Sequence, residues 1–178
     1  MSKYIVTLIF ISLIILSCKS PEARMPESVQ TGSFLQESVK RNKKLNEKEQ
    51  KQIKDIITSN PDKEYIASES GFWYYYNNKV ENDTIQPEFG DVVEFDFNVS
   101  TLDGQQIYPE ESRTYVMDKE ELFTGLREGL KLMKPNEEVT FIFPSNKAFG
   151  YYGDDHKIGI NVPLICEVKL KTITQNND

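Results

Sequence analysis

The sequence predicts an α+β fold: a twisted antiparallel β-sheet wrapped on a short central α-helix, preceded by an N-terminal helix and a tether. The first observation is the alternation of apolar and polar residues in the second half of the chain, as in residues 93–100. Such alternation is typical of strands with one buried face. The second is a single segment, residues 120–134, whose apolar side chains recur at helical spacing. One amphipathic helix among antiparallel strands favours helix-on-sheet packing.

The chain begins with a basic residue and an apolar run. Lys3 precedes apolar residues 4–16, and Ser17 and Cys18 follow. The run is shorter than the roughly 20 residues that span a bilayer, but it has the length of a signal-peptide core. The segment resembles a bacterial lipobox, which implies that residues 1–17 are a lipoprotein signal peptide and that Cys18 is lipidated. An ordinary secretory signal with a chance cysteine and an uncleaved short anchor are the alternatives.

Residues 18–45 are predicted to form a tether, and residues 46–88 a helix followed by the first strands. Two prolines and little apolar content mark residues 19–33. Residues 34–60 are very polar and helix-like, and within them Asn46 and Glu49 have the spacing of a capping box, from which the helix is assigned. Three isoleucines, at positions 53, 56 and 57, give the helix a narrow apolar stripe, and Asn60 with Pro61 ends it.

Strand patterns follow Pro61. Residues 63–68 and 71–77 are rich in aromatic residues, and the contiguous rings of residues 73–76 favour a half-covered strand over a platform for ligand stacking. Further inward-facing alternations are predicted at Val93, Phe95, Phe97 and Val99, at Val139, Phe141 and Phe143, and at Leu164, Cys166, Val168 and Leu170. The central helix carries Leu122, Phe123, Leu126, Leu130 and Met133. Residues 174–178 are predicted to be a disordered tail.

Composition excludes several classes of function. The 178 residues hold 21 Lys and Arg against 28 Asp and Glu, a net charge of −7, so no excess of cations is available to bind nucleic acid. One His and two Cys exclude a zinc-finger framework and a disulfide scaffold. Three adjacent residues, 154–156, include metal-ligand types, but consecutive loop side chains seldom converge on one ion. No phosphate loop or dinucleotide fingerprint is present, so no cofactor is expected.

An apolar pocket between sheet, helix and loop remains as the candidate site. Such a pocket can hold a proline, whose preceding peptide bond resists rotation with a barrier of roughly 20 kcal/mol. A catalyst of that rotation needs no nucleophile. It needs a dry pocket that disfavours the planar, polarised amide and holds a twisted one.

Four motifs occur in the order and spacing of an FKBP-type peptidyl-prolyl isomerase domain. They are Gly-Asp-Val-Val at 90–93, Thr-Leu-Asp-Gly at 101–104, Gly-Leu-Arg-Glu-Gly-Leu-Lys-Leu-Met-Lys at 125–134 and Pro-Ser-Asn-Lys-Ala-Phe-Gly at 144–150. With the last strand, the resemblance covers residues 89–173. Because a lipobox and a polar helix precede this domain, the chain is similar to the lipoprotein members of this family that are associated with gliding motility.

The resemblance implies both an activity and a set of site residues. Phe97, Tyr108 and Phe149 match catalytic positions of the family. The positions matching its substrate-binding residues are Ile107, Leu122, Phe123, Leu126, Ile158 and Cys166. Several depart from the family pattern, since Phe97 and Phe149 lack a hydroxyl, Tyr108 stands where the family has Asp, and Leu126 stands where it has Trp.

The implied function is a prolyl isomerase of the cell envelope that acts on proline-containing polypeptides, held on the membrane through Cys18 and facing the periplasm. The alternative is a catalytically weak or inactive lipoprotein that uses the same pocket for binding or as a scaffold.

Overall fold

The computed structural model describes residues 31–82 and 85–176, with side chains from residue 35 onward. Helix α1 (Thr31–Ser59) is followed by β1 (Ile66–Ala67), β2 (Trp73–Asn78), β3 (Val92–Thr101), β4 (Gln106–Val116), α2 (Thr124–Leu130), β5 (Glu138–Phe143) and β6 (Leu164–Thr174). A 3₁₀ turn, Ser145–Lys147, follows β5. Cys18 and the predicted signal peptide lie outside the described residues.

The six described strands form one antiparallel sheet in the order β1-β2-β5-β6-β3-β4. The register pairs Phe95 with Leu170 and Phe141 with Cys166, so the apolar residues of neighbouring strands share one face. That face and α2 enclose the core, whose centre is fully buried. The predicted α+β fold is therefore confirmed, and so is the inward orientation of the alternating residues.

Helix α2 packs unusually close to the sheet because two of its residues are glycines. A Cβ at Gly125 would lie 2.5 Å from the Phe143 ring, and one at Gly129 would lie 2.9 Å from the Phe141 ring. Leu126, between them, is fully buried. The helix ends at Leu130, before the predicted residue 134, where tighter i to i+3 hydrogen bonds close the chain into a turn.

Helix α1 corrects the predicted tether boundary. It begins at Thr31, so residues 31–45 are helical and the predicted capping box at Asn46 lies in the helix interior. Residues 35–45 are mostly exposed and include Lys, Arg, Glu and Gln, which favour helix without needing a buried face. The helix ends as predicted, where the Asn60 side chain donates to the Ile56 carbonyl at 2.8 Å.

The predicted C-terminal tail also begins too early. Thr174 belongs to β6, and the Asn176 N–H donates to Asp91 Oδ1 at 2.8 Å. These bonds tie the chain to the start of β3 as far as residue 176.

The chain divides into two compact units, Met1–Val39 and Lys40–Asp178. The described part of the first is the beginning of α1. The second contains the sheet, α2 and the cavity discussed below. Within residues 31–82 and 85–176, no helix combines the length and apolar character that crossing a membrane requires.

Candidate functional site

A cavity of about 680 Å³ opens where the end of β3, the strand β4, the start of α2 and the loop after β5 meet. Its wall residues come from segments that are distant in sequence. They are Phe97, Val99, Tyr108, Glu111, Arg113, Glu120, Glu121, Leu122, Phe123, Thr124, Arg127, Ala148, Phe149 and Ile158. The cavity is therefore a product of the tertiary fold.

Aromatic rings form the inner wall. The Phe123 ring contacts that of Phe149 at a centroid distance of 5.1 Å and that of Phe143 at 5.4 Å. Phe123 itself precedes α2 in an extended conformation, and its carbonyl accepts the Arg127 N–H at 3.2 Å. The first turn of α2 therefore fixes the backbone of Phe123 and aims its ring at the loop.

Tyr108, which lines the cavity, is hydrogen-bonded to Asp154 in the loop behind it. The Tyr108 hydroxyl donates to Asp154 Oδ2, while Asp154 Oδ1 accepts the N–H groups of His156 at 2.9 Å and Ile158 at 2.7 Å. Partial burial works against ionisation of Asp154, yet these three hydrogen bonds hold its pKa below the ordinary value. The bond to Asp154 raises the pKa of Tyr108.

Asp154 thus organises the loop that delivers Ile158 to the cavity. The adjacent Gly153 has a φ of +74°, and a Cβ there would lie 2.4 Å from the Ile158 carbonyl oxygen, so only glycine fits this turn. The carboxylate is engaged within the loop. In the parts of the chain that the structure describes, no three His, Cys, Asp or Glu residues gather in a way that could hold a metal ion.

The outer rim of the cavity is charged. Glu111, Arg113, Glu120, Glu121 and Arg127 surround it, and Arg113 Nη2 donates to the Glu121 carbonyl at 3.0 Å. These five residues were not foreseen in the sequence. Among them, only Arg127 had a signal in the sequence, because it lies one helical turn after Phe123 and so on the same side of the predicted helix.

The structure brings six of the nine predicted pocket residues together. Phe97, Tyr108, Leu122, Phe123, Phe149 and Ile158 all line the cavity. Leu126 and Cys166 are fully buried in the core and Ile107 packs against it, so none of these three lines the cavity. Burial raises the pKa of the Cys166 thiol well above its ordinary value.

The family model of FKBP-type peptidyl-prolyl cis-trans isomerases matches residues 83–171. A curated relative, the probable FKBP-type peptidyl-prolyl cis-trans isomerase FkpA of Neisseria meningitidis serogroup B, is 31% identical over 90 residues. That match covers 49% of this chain and 33% of the relative, so the aligned part spans about a third of the relative's length.

Two solved structures share the fold. FkpA from Escherichia coli matches with a TM-score of 0.60 and 18% identity, covering 98% of this chain and 82% of that one. A peptidyl-prolyl cis-trans isomerase from Pseudomonas syringae matches with a TM-score of 0.54 and 18% identity, covering 62% of this chain and 81% of that one. Because the family model matches half of its length, the chain belongs to the FKBP-type peptidyl-prolyl cis-trans isomerase family.

Proposed function

We propose that the cavity binds proline-containing polypeptides and accelerates cis-trans isomerisation of the bond before the proline. The observation that carries this proposal is the convergence of Phe97, Phe123, Phe149 and Ile158 on one cavity. The barrier of roughly 20 kcal/mol arises from amide resonance, which places charge on the carbonyl oxygen and the nitrogen. An apolar wall solvates that charge poorly and therefore favours the twisted amide, in which resonance is lost.

The wall also offers a compact apolar surface to a proline. Phe97 and Ile158 are buried, with 8% and 4% of their surface exposed, whereas Phe149 and Tyr108 are half-buried. A compact pyrrolidine ring can pack against these side chains, while the flanking peptide crosses the charged rim.

A second candidate function is binding without catalysis. The observation that favours it is the engagement of the Tyr108 hydroxyl, which donates to Asp154. Phe149 has no hydroxyl to offer, so neither ring presents a free proton to the substrate carbonyl. A donor placed for the twisted amide would add to catalysis, and its lack reduces the rate without preventing binding.

Binding and catalysis are measured separately on one Leu-Pro peptide. Calorimetry gives the affinity, and a protease-coupled assay gives the isomerisation rate, both with the full chain in mild detergent. Binding with acceleration supports the isomerase, and binding without acceleration supports the second candidate. If neither is seen, the cavity is not a proline site. Tyr151→Ala is the control variant and should behave like the parent, because Tyr151 is an exposed aromatic residue that does not line the cavity.

We also propose that Cys18 is lipidated and holds the protein on a membrane of the cell envelope, with the folded part facing the periplasm. The support is the order of Lys3, the apolar run and Cys18. Acyl chains contribute roughly 0.8 kcal/mol per buried CH₂, so two or more chains hold stably. In a Gram-negative host, Cys18→Ser should block processing or release the mature chain into the soluble fraction. If the variant is processed and still fractionates with membranes, the lipidation proposal is wrong.

We further propose that this activity contributes to gliding motility. This proposal rests on the resemblance of the whole sequence to lipoproteins of that group. Deletion in a gliding host should impair spreading, and the parent gene should restore it. Normal spreading of the deletion strain would contradict this role.

A further inference from the structure

Glu49, on helix α1, has a buried carboxylate that contacts the 3₁₀ turn Ser145–Lys147, just before the cavity residues Ala148 and Phe149. Glu49 is only 2% exposed, as is Ser145, its partner. The Ser145 N–H donates to Glu49 Oε2 at 2.9 Å, and the Ser145 hydroxyl donates to Glu49 Oε1 at 2.7 Å. Both carboxylate oxygens are therefore used, by one residue that lies far away in the sequence.

Glu49 lies on the face of α1 that carries Ile53 and Ile56. Ile53, one turn later, is fully buried, and Ile56 and Asn60 line a second groove with residues of the sheet, among them Ile142. An apolar residue at position 49 would continue this stripe without the cost of burying a charge. The presence of a carboxylate here is therefore better explained by its hydrogen bonds with Ser145 than by packing of the helix alone.

Ser145 controls the segment that carries Ala148 and Phe149 to the cavity. Its carbonyl accepts the Ala148 N–H at 3.1 Å and the Gly150 N–H at 2.9 Å, which closes the chain on both sides of Phe149. The same turn lies against the start of α2, since a Cβ at Gly125 would lie 2.7 Å from the Lys147 carbonyl oxygen. A shift of Ser145 would therefore move Phe149 relative to Phe123.

We propose that Glu49 is a positioning residue for the cavity, which makes α1 a working part of the site. It acts through Ser145 and fixes the distance between Phe149 and Phe123. Its effect on turnover rests on the proposed isomerase function, whereas its effect on the position of the turn does not.

Glu49→Leu is the direct test, because leucine keeps a buried side chain of similar size and removes both acceptors. Glu49→Gln is the conservative variant, since its amide oxygen can still accept the Ser145 N–H. Glu47→Leu is the matched control, because Glu47 is exposed on the same helix. Each variant is made in the full chain in mild detergent, and a Leu-Pro peptide is the probe.

We expect Glu49→Leu to lower kcat/KM or peptide affinity about tenfold or more, as for a small misplacement of a binding wall. Glu49→Gln should restore much of the loss, and Glu47→Leu should behave like the parent. Amide hydrogen exchange at Ala148 and Gly150 should be faster in Glu49→Leu alone. Parent-like kinetics together with parent-like exchange in Glu49→Leu would overturn the proposal.

Two further outcomes are separable. If the parent neither binds nor isomerises the peptide, the proposed function fails, and exchange at Ala148 and Gly150 alone decides the positioning role: faster exchange in Glu49→Leu supports it and unchanged exchange overturns it.

If Glu49→Leu does not fold, Ser145→Ala removes only the hydroxyl bond. A smaller loss of affinity with faster exchange supports the role, and no change in either overturns it.

Discussion

The rings of Phe123 and Phe149 lie 5.1 Å apart between centroids, at an interplanar angle of 47°. Phe123 comes directly before α2, and Phe149 follows the 3₁₀ turn after β5. Each ring alone is an ordinary apolar side chain of its segment. Together they form one wall of the cavity, so its shape depends on how the loop is held against the helix.

Phe149→Ala should weaken proline-peptide binding or isomerisation while lowering the unfolding free energy by less than about 2 kcal/mol. The Phe149 ring is only half-buried at the cavity, so its removal leaves little unfilled space. Denaturant unfolding and peptide titration of the same sample provide the two measurements.

Phe141→Ala is the matched control, because Phe141 is fully buried in the core and does not line the cavity. It should cost about 3–5 kcal/mol. Unchanged peptide activity in Phe149→Ala with a stability loss as large as that of the control would make Phe149 a core residue.

Asp154→Ala should weaken peptide binding, because it removes both oxygens of the carboxylate, which accepts the Tyr108 hydroxyl and the N–H groups of His156 and Ile158. Ile158 and Tyr108 would then lose a common anchor. Titration with the Leu-Pro peptide measures the effect. Asp155→Asn is the control, since Asp155 is exposed and has a φ of +61°, which asparagine tolerates. Equal affinities of the two variants would show that Asp154 does not organise the site.

Cys166 should not react with a bulky thiol reagent in the native protein. Its side chain is fully buried and burial raises its thiol pKa, so both access and thiolate are lacking. Labelling of a chain that carries Cys18→Ser should remain slow until denaturant unfolds it. Rapid labelling under native conditions would mean that the β6 region opens readily.

Stability should decline in alkali partly through Tyr76. Burial, followed by the nearby Glu137 and Tyr74, raises the pKa of Tyr76 above its ordinary value, to about 12. Because the folded state favours the neutral phenol, this contribution is complete below pH 10 and is lost as the pH rises from 10 to about 12. Denaturant unfolding across this range should show a shallower decline for Tyr76→Phe than for the parent. An identical decline would contradict the assignment, and Tyr151→Phe, at an exposed site, is the control.

The sheet and its buried face could be read from the sequence because alternation has a period of two and the long strands β3 and β6 obey it. The sequence could not show which of the inward-facing residues line the cavity. Phe97 and Cys166 both point inward, yet Phe97 lines the cavity and Cys166 lies in the closed core. Whether an inward residue reaches a cavity depends on the neighbouring loop and helix, which alternation does not describe.

Helix α1 shows a second limit. Its first half is polar, so no apolar stripe distinguishes it from a tether, although its residues favour helix. Glu49 has capping-box spacing from Asn46, but its carboxylate bonds instead to Ser145, across a large sequence separation. A local motif could not anticipate a partner chosen by tertiary packing.

The most direct test of the central claim is exchange NMR on a Leu-Pro peptide with catalytic amounts of the chain in mild detergent. We predict that the chain accelerates cis-trans exchange and that Phe123→Ala, at the centre of the aromatic wall, abolishes most of the acceleration while Tyr151→Ala does not. Exchange at the uncatalysed rate with the folded parent, or full acceleration by a folded Phe123→Ala variant, would contradict isomerisation at this cavity.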